Sequence, residues 1–269
     1  MKTDTREKIL AYIKEKKQIS AKEIIDYVKL SPQAVFRQLK KLLDGGQITK
    51  QGSPPQVFYW PKSLASVLYY PHMNVLNWAS NENPVEPPSE WYCPATDAWQ
   101  GRFTRLAPTL IRAGFAENDV ALVGGAIGEI GDNCFAHNAP NWIDIRGCWF
   151  EFGLEKNILH CAIADRGRGI LASLQGVRPD LKNDQAALLT ALTERVTGRA
   201  PEQRGNGLKF VANVLGELKN GTFILQSGSA RFKCSLPLDI KKIKELIKEN
   251  PTRVRGTYAE LSIKLPYAN

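Results

Sequence analysis

Apolar residues recur at helical spacing three times within the first 45 positions. Ile9, Leu10 and Ile13 mark a helix over Thr3 to Lys16. Ser20 followed by Glu23 forms a capping box that opens a second helix through Ile24, Ile25 and Val28. Ser31 and Pro32 supply the N-cap and first-turn proline of a third, carried by Val35, Phe36, Leu39, Leu42 and Leu43 and ended by Gly45-Gly46. The pattern then shortens. Gln47 to Lys50 reads as a strand, Gly52-Ser-Pro-Pro55 as a turn, and Val57 to Trp60 as a returning strand.

Residues 63–79, with Leu64, Val67, Leu68, Val75, Leu76 and Trp78, predict one helix or two broken by Pro71. Asn81 to Pro94 holds Pro84, Pro87, Pro88 and Pro94 and reads as a linker, with Trp91, Tyr92 and Trp99 packing the seam between domains. Trp99 to Phe115 predicts an amphipathic helix kinked at Pro108, and Asn118 to His137 a longer one through Val120, Val123, Ile127, Ile130 and Cys134. Strands follow over Trp142–Phe152 and Ile158–Ala164, then a helix over Asp184–Val196 and another opening at Gly207. A charged helix from Asp239 to Glu249 precedes a last strand over Gly256–Pro266.

Charge divides the chain further. Residues 1–62 carry 13 Lys and Arg against 6 Asp and Glu, while the other 207 residues are close to neutral. A basic first module points at a polyanion. The five cysteines (93, 134, 148, 161 and 234) form no C-x-x-C pair and read as small core residues in a reducing cytoplasm. No apolar run approaches the roughly 18–20 residues of a membrane span, and the Lys- and Glu-rich start is not a signal peptide.

Three helices followed by a two-stranded wing resemble the winged helix–turn–helix domains of bacterial transcription regulators, over about residues 3–61. The resemblance makes the third helix the DNA-reading one. Its apolar stripe faces inward and leaves Gln33, Arg37, Gln38, Lys40 and Lys41 outward, side chains that bond base edges and phosphates. Lys50 lies beside them on the wing.

Three polar motifs stand in the second part. Glu129, Asn133 and His137 share one helix face over two turns. An amide oxygen there is a hard ligand suited to Mg²⁺, and a carboxylate one turn away can orient or deprotonate a water. Asp165 ends a strand and begins Asp-Arg-Gly167-Arg-Gly169, where an acceptor can meet an adenine amino group and glycines let the backbone approach a base. Gly205-Asn-Gly207-Leu208 opens a helix, whose free amides suit phosphate. Between the glycine turns, Arg195, Arg199 and Arg204 lie on a segment that reads as a flap.

In this order, ending in Gly256-Thr-Tyr-Ala-Glu-Leu-Ser-Ile-Lys-Leu-Pro266, these motifs resemble the GHKL ATPases: gyrase, chaperone and histidine-kinase domains and bacterial anti-sigma serine kinases. The last branch is the most similar in its Glu129 helix. The resemblance covers about residues 98–267. It implies a two-layer α/β sandwich of the Bergerat type, with a mixed sheet under helices and ATP held between sheet and flap. It implies Asn133 as the Mg²⁺ ligand, Asp165 as the adenine contact, Glu129 as the water-orienting catalytic carboxylate, and Gly167, Gly169, Gly205, Gly207 and Leu208 as the ATP pocket. The doubled glycine turn common in the family is single here.

The expected organisation is a winged-helix domain over 1–62, a helical and Pro-rich connection over 63–97, and an ATP-binding domain over 98–269. None of His72, His137 and His160 fits an autonomous histidine kinase's acceptor helix. Two functions remain open. One is a homodimeric DNA-binding regulator with ATP as its ligand. The other is a serine/threonine kinase acting on a partner protein, with the winged helix as docking module and slow hydrolysis at Glu129.

Overall fold

The computed structural model describes residues 5–16, 19–45, 47–51, 57–61, 71–138, 142–155, 157–196 and 207–264. They fall into two units, Met1–Tyr70 and Pro71–Asn269. The turn at 52–55, the apolar run from Leu64 to Tyr70, and Arg199, Arg204 and Gly205 lie outside the described residues.

In the first unit, α1 (Thr5–Lys16), α2 (Ala21–Val28) and α3 (Pro32–Asp44) form where the pattern predicts them. The Ser20 capping box is complete: the Glu23 amide donates to Ser20 Oγ at 3.3 Å, and the Ser20 amide donates to the Glu23 carboxylate at 2.9 Å. Ser31 caps α3, with Pro32 in the first turn. The wing is three-stranded, since β1 (Ile19–Ser20) joins β2 (Ile48–Gln51) and β3 (Phe58–Pro61) in the order β1-β3-β2. Ile9, Ile13, Ile24, Val35, Leu39, Leu42, Ile48 and Tyr59 close its core. Phe36, expected in that core, is instead exposed. One residue beyond Val35, it has turned about 100° away from the buried stripe.

The second unit is built on an antiparallel sheet, order β4-β5-β6-β8-β7, from β4 (Tyr92–Cys93), β5 (Cys148–Glu155), β6 (Ile158–Asp165), β7 (Gly221–Leu236) and β8 (Ile247–Lys264). The expected mixed sheet is not found among the described residues. Every ladder there is antiparallel.

Strand alternation assigns the faces. Phe150, Leu159, Cys161, Ile163, Phe223, Leu225, Ala259, Leu261 and Ile263 point into the main core. There they meet α7 (Glu117–Ala136), α8 (Gly169–Gln175), α9 (Asp184–Thr193) and α10 (Gly207–Glu217). The opposite face is covered too: Trp149, Ala162, Ala164, Ile224 and Tyr258 pack against Val75, Trp78 and Ala79 of α4 (Pro71–Ser80). The expected two-layer sandwich thus has a helix on its second face.

Five other expectations change. Asn81–Pro94 is no free linker, because β4 pairs with β5 and Trp78 Nε1 donates to the Val85 carbonyl at 2.9 Å. Trp99 is fully buried in the main core, with its indole N–H on Asp132 at 2.8 Å, so it does not pack a seam. The helix after it divides into α5 (Thr96–Phe103) and α6 (Leu106–Arg112), breaking at Thr104–Arg105. Pro108 lies in the first turn of α6, where a missing N–H costs nothing. The charged helix shrinks to a 3₁₀ turn (Ile240–Lys242) and α11 (Ile243–Leu246), because Ile247–Glu249 pair with Ala230–Phe232 as strand. Likewise, Trp142 to Gly147 precede β5 and are not part of it.

Candidate functional site

Odd-numbered residues of β6 face the helix layer, so Asp165 at its end points the same way as Leu159, Cys161 and Ile163. It is 2% exposed. Its Oδ1 accepts from Asn138 Nδ2 at 2.9 Å and from the Gly167 amide at 2.8 Å. Burial raises its pKa from the ordinary 3.8 to about 7, although the Gly167 amide, Asn138, Cys134 and the Thr257 amide all favour the charged form.

Asp165 forms the floor of a cavity of about 120 Å³. Ile130, Ile170, Leu174 and Leu208 give apolar walls. Glu129, Asn133, His137, Ser173 and Thr257 add polar groups. This is below the ~150 Å³ that admits a benzene-sized ring, so a bicyclic base seated on Asp165 would extend out of the cavity.

Helix α7 presents Glu129 and Asn133 together: Asn133 Nδ2 donates to Glu129 Oε1 at 3.3 Å. The first residue of α10 touches the same pair. A Cβ on Gly207 would stand 2.1 Å from Glu129 Oε1 and 3.2 Å from Asn133 Nδ2. With glycine here the helix starts against the carboxylate, and a Cβ would push the Glu129 side chain away. Gly256 has a similar constraint below Asp165, with φ +72° and a would-be Cβ 2.4 Å from Asp165 Oδ1.

The cavity therefore gathers Glu129, Asn133, His137, Asp165, Gly169, Gly207 and Leu208 from separate parts of the sequence. Gly167 lies behind it, against the Asn138 side chain. Sequence reasoning missed Asn138. This residue is 3% exposed and bonds the Cys134 carbonyl, the Asp165 carboxylate and the Arg168 amide, so it positions the acid. Its only local signal is an amide just past a helix end. Thr257 and Ser173 were also missed, since strand register alone brings Thr257 to Asp165.

The neighbouring Arg166 does different work. With the opposite parity, it points across the sheet, fully buried, and donates to the Trp78 and Asn81 carbonyls at the end of α4. It also forks onto Asp144 at 2.9–3.2 Å. Burial pushes the Asp144 carboxyl up, but Arg166 and the Ile145 amide outweigh it and hold the net pKa below the usual value. All five cysteines are buried and unbridged.

In the first unit, Gln33, Phe36, Arg37, Lys40 and Lys41 are exposed on α3, while Gln38, expected outward, is half-buried on the flank. Lys50 is exposed on the wing. No helix among the described residues is long and apolar enough to cross a membrane.

A family model described as winged helix-turn-helix DNA-binding matches residues 2–49. No curated protein and no solved structure matches the chain. The chain thus carries an N-terminal winged helix–turn–helix, which points to a DNA-binding regulator.

Proposed function

We propose that the chain is a DNA-binding transcription regulator whose second unit binds ATP with Mg²⁺, and that nucleotide occupancy alters DNA affinity. The observation that carries the nucleotide part is the meeting of the Glu129 helix, the Asp165 turn and the Gly207 helix start around one cavity. The resemblance of those motifs to the GHKL ATPases names the ligand.

The donor set fits it. Asp165 is a buried acceptor lining the cavity, suited to an adenine amino group. Glu129 and Asn133 offer hard oxygens near the first turn of a helix, suited to Mg²⁺ and phosphate. The bound nucleotide would supply polyanionic charge at that end. The protein's own part is to hold Asp165 through Asn138 and to keep Glu129 against Gly207. Allosteric couplings are typically ~1–3 kcal/mol, enough for a switch in DNA affinity.

Enrichment of genomic fragments by the purified protein, with and without Mg-ATP, followed by anisotropy on an enriched site, tests the proposal. An affinity that changes with ATP supports it. Specific binding indifferent to ATP leaves the winged helix as a tether. It then favours the second reading, a protein serine/threonine kinase in which Glu129 accepts the acceptor hydroxyl's proton. That reading draws on the position of Glu129 in the cavity.

A further inference from the structure

Phe36 is the most exposed of the large apolar side chains described in the first unit, at 49% against 41% for Tyr27 and 39% for Leu30. Tyr27 has a partner, since its ring stacks on Tyr12 at 3.6 Å with Lys8 above it. The inward side of α3 is already filled by Val35, Leu39 and Leu42. At 100° per residue, Gln33, Phe36, Arg37, Lys40, Lys41 and Asp44 share an arc of about 140°. Phe36 thus stands as an aromatic ring at one edge of a cationic and amide-bearing helix face, next to Lys40 and Gln33.

That combination matches one surface chemistry. Phosphates flank the DNA major groove, amide and guanidinium groups bond base edges there, and the apolar group it displays is the thymine C5-methyl. We propose that Phe36 contacts a thymine methyl in the major groove, so that the DNA site of this protein contains a thymine required for its methyl group. The proposal rests on α3 being the DNA-facing helix. The positive charge of Arg37, Lys40 and Lys41 beside the ring favours DNA over an apolar protein partner as the occupant.

The test begins with selection from a random duplex pool by the full-length protein. Anisotropy then follows on the selected site, with each thymine replaced in turn by deoxyuridine. This substitution deletes the methyl and keeps every hydrogen-bonding group. Wild type should lose about fourfold in affinity at one position, the equivalent of one buried methyl at ~0.8 kcal/mol. Phe36→Ala should bind more weakly and be indifferent to deoxyuridine there, whereas Phe36→Leu should keep part of the sensitivity. Thermal melting of both variants should match wild type, as the side chain is exposed.

A selected site at which every deoxyuridine is neutral overturns the Phe36 contact and leaves DNA binding intact. So does an undiminished deoxyuridine penalty in Phe36→Ala. A pool that yields no sequence overturns both this proposal and the reading beneath it. A Phe36→Ala protein that loses self-association while keeping the methyl preference makes the ring a protein contact, again overturning the proposal.

Discussion

Asp165→Asn exchanges a buried acid for a neutral side chain of the same shape, and its effect should depend on pH. The folded carboxyl titrates near 7 and the unfolded one near 3.8, chiefly because burial disfavours the charge. Between these values the folded chain holds more protons than the unfolded chain, so this group's contribution to stability falls as pH rises. It is most favourable below about pH 4 and fully lost above about pH 7. The gap corresponds to at most ~4 kcal/mol at 1.36 kcal/mol per pKa unit.

An asparagine lacks that dependence but turns an N–H₂ toward donors such as the Thr257 amide, costing ~1–3 kcal/mol at any pH. Asp165→Asn should therefore be less stable than wild type at pH 4.5. The deficit should shrink or reverse by pH 8. Urea unfolding at a series of pH values, followed by tryptophan fluorescence, measures this. Five of the six tryptophans (78, 91, 99, 142 and 149) belong to the second unit. Subtracting the two proteins at each pH removes the other titrating groups. A difference constant from pH 4.5 to 8 would refute the argument that burial holds this carboxyl protonated.

Three other substitutions probe separate parts of the structure. Arg166→Ala leaves two carbonyls at the end of α4 without a donor, while the exposed Asp144 turns to solvent and Arg255, so urea unfolding should show a loss of about 1–3 kcal/mol. Gly207→Ala places a methyl against Glu129; calorimetry should find weakened ATP binding, while melting stays close to wild type because the carboxylate can swing aside. Arg37→Ala should weaken binding to a selected DNA site by ~1–3 kcal/mol if the side chain reads a base, and anisotropy on that site measures it.

Local signals are legible where the physics is local. Ser20 with Glu23 and Ser31 with Pro32 placed two helix starts, since caps act over three residues. The twenty-residue periodicity of α7 and the terminal position of Asp165 on β6 were legible for the same reason. What escaped depends on distant partners. Ile240, Ile243 and Ile247 mimic a helix stripe, but pairing of Ile247 with Phe232 overrides that preference. Nothing near Pro71 shows that α4 will cover β5, β6, β7 and β8, which begin more than seventy residues later. Asn138 became meaningful only when chain topology brought it to Asp165, and Phe36 shows that an apolar residue inside a periodic run can still face out.

The nucleotide site carries the account, and direct titration of ATP with Mg²⁺ into the full chain by calorimetry tests it most directly. Titration should find one ATP per chain. Asp165→Ala, shown folded by circular dichroism and still bound to DNA, should no longer take up ATP. Absence of ATP binding by wild type, or equally tight binding by a folded Asp165→Ala protein, would contradict the nucleotide assignment.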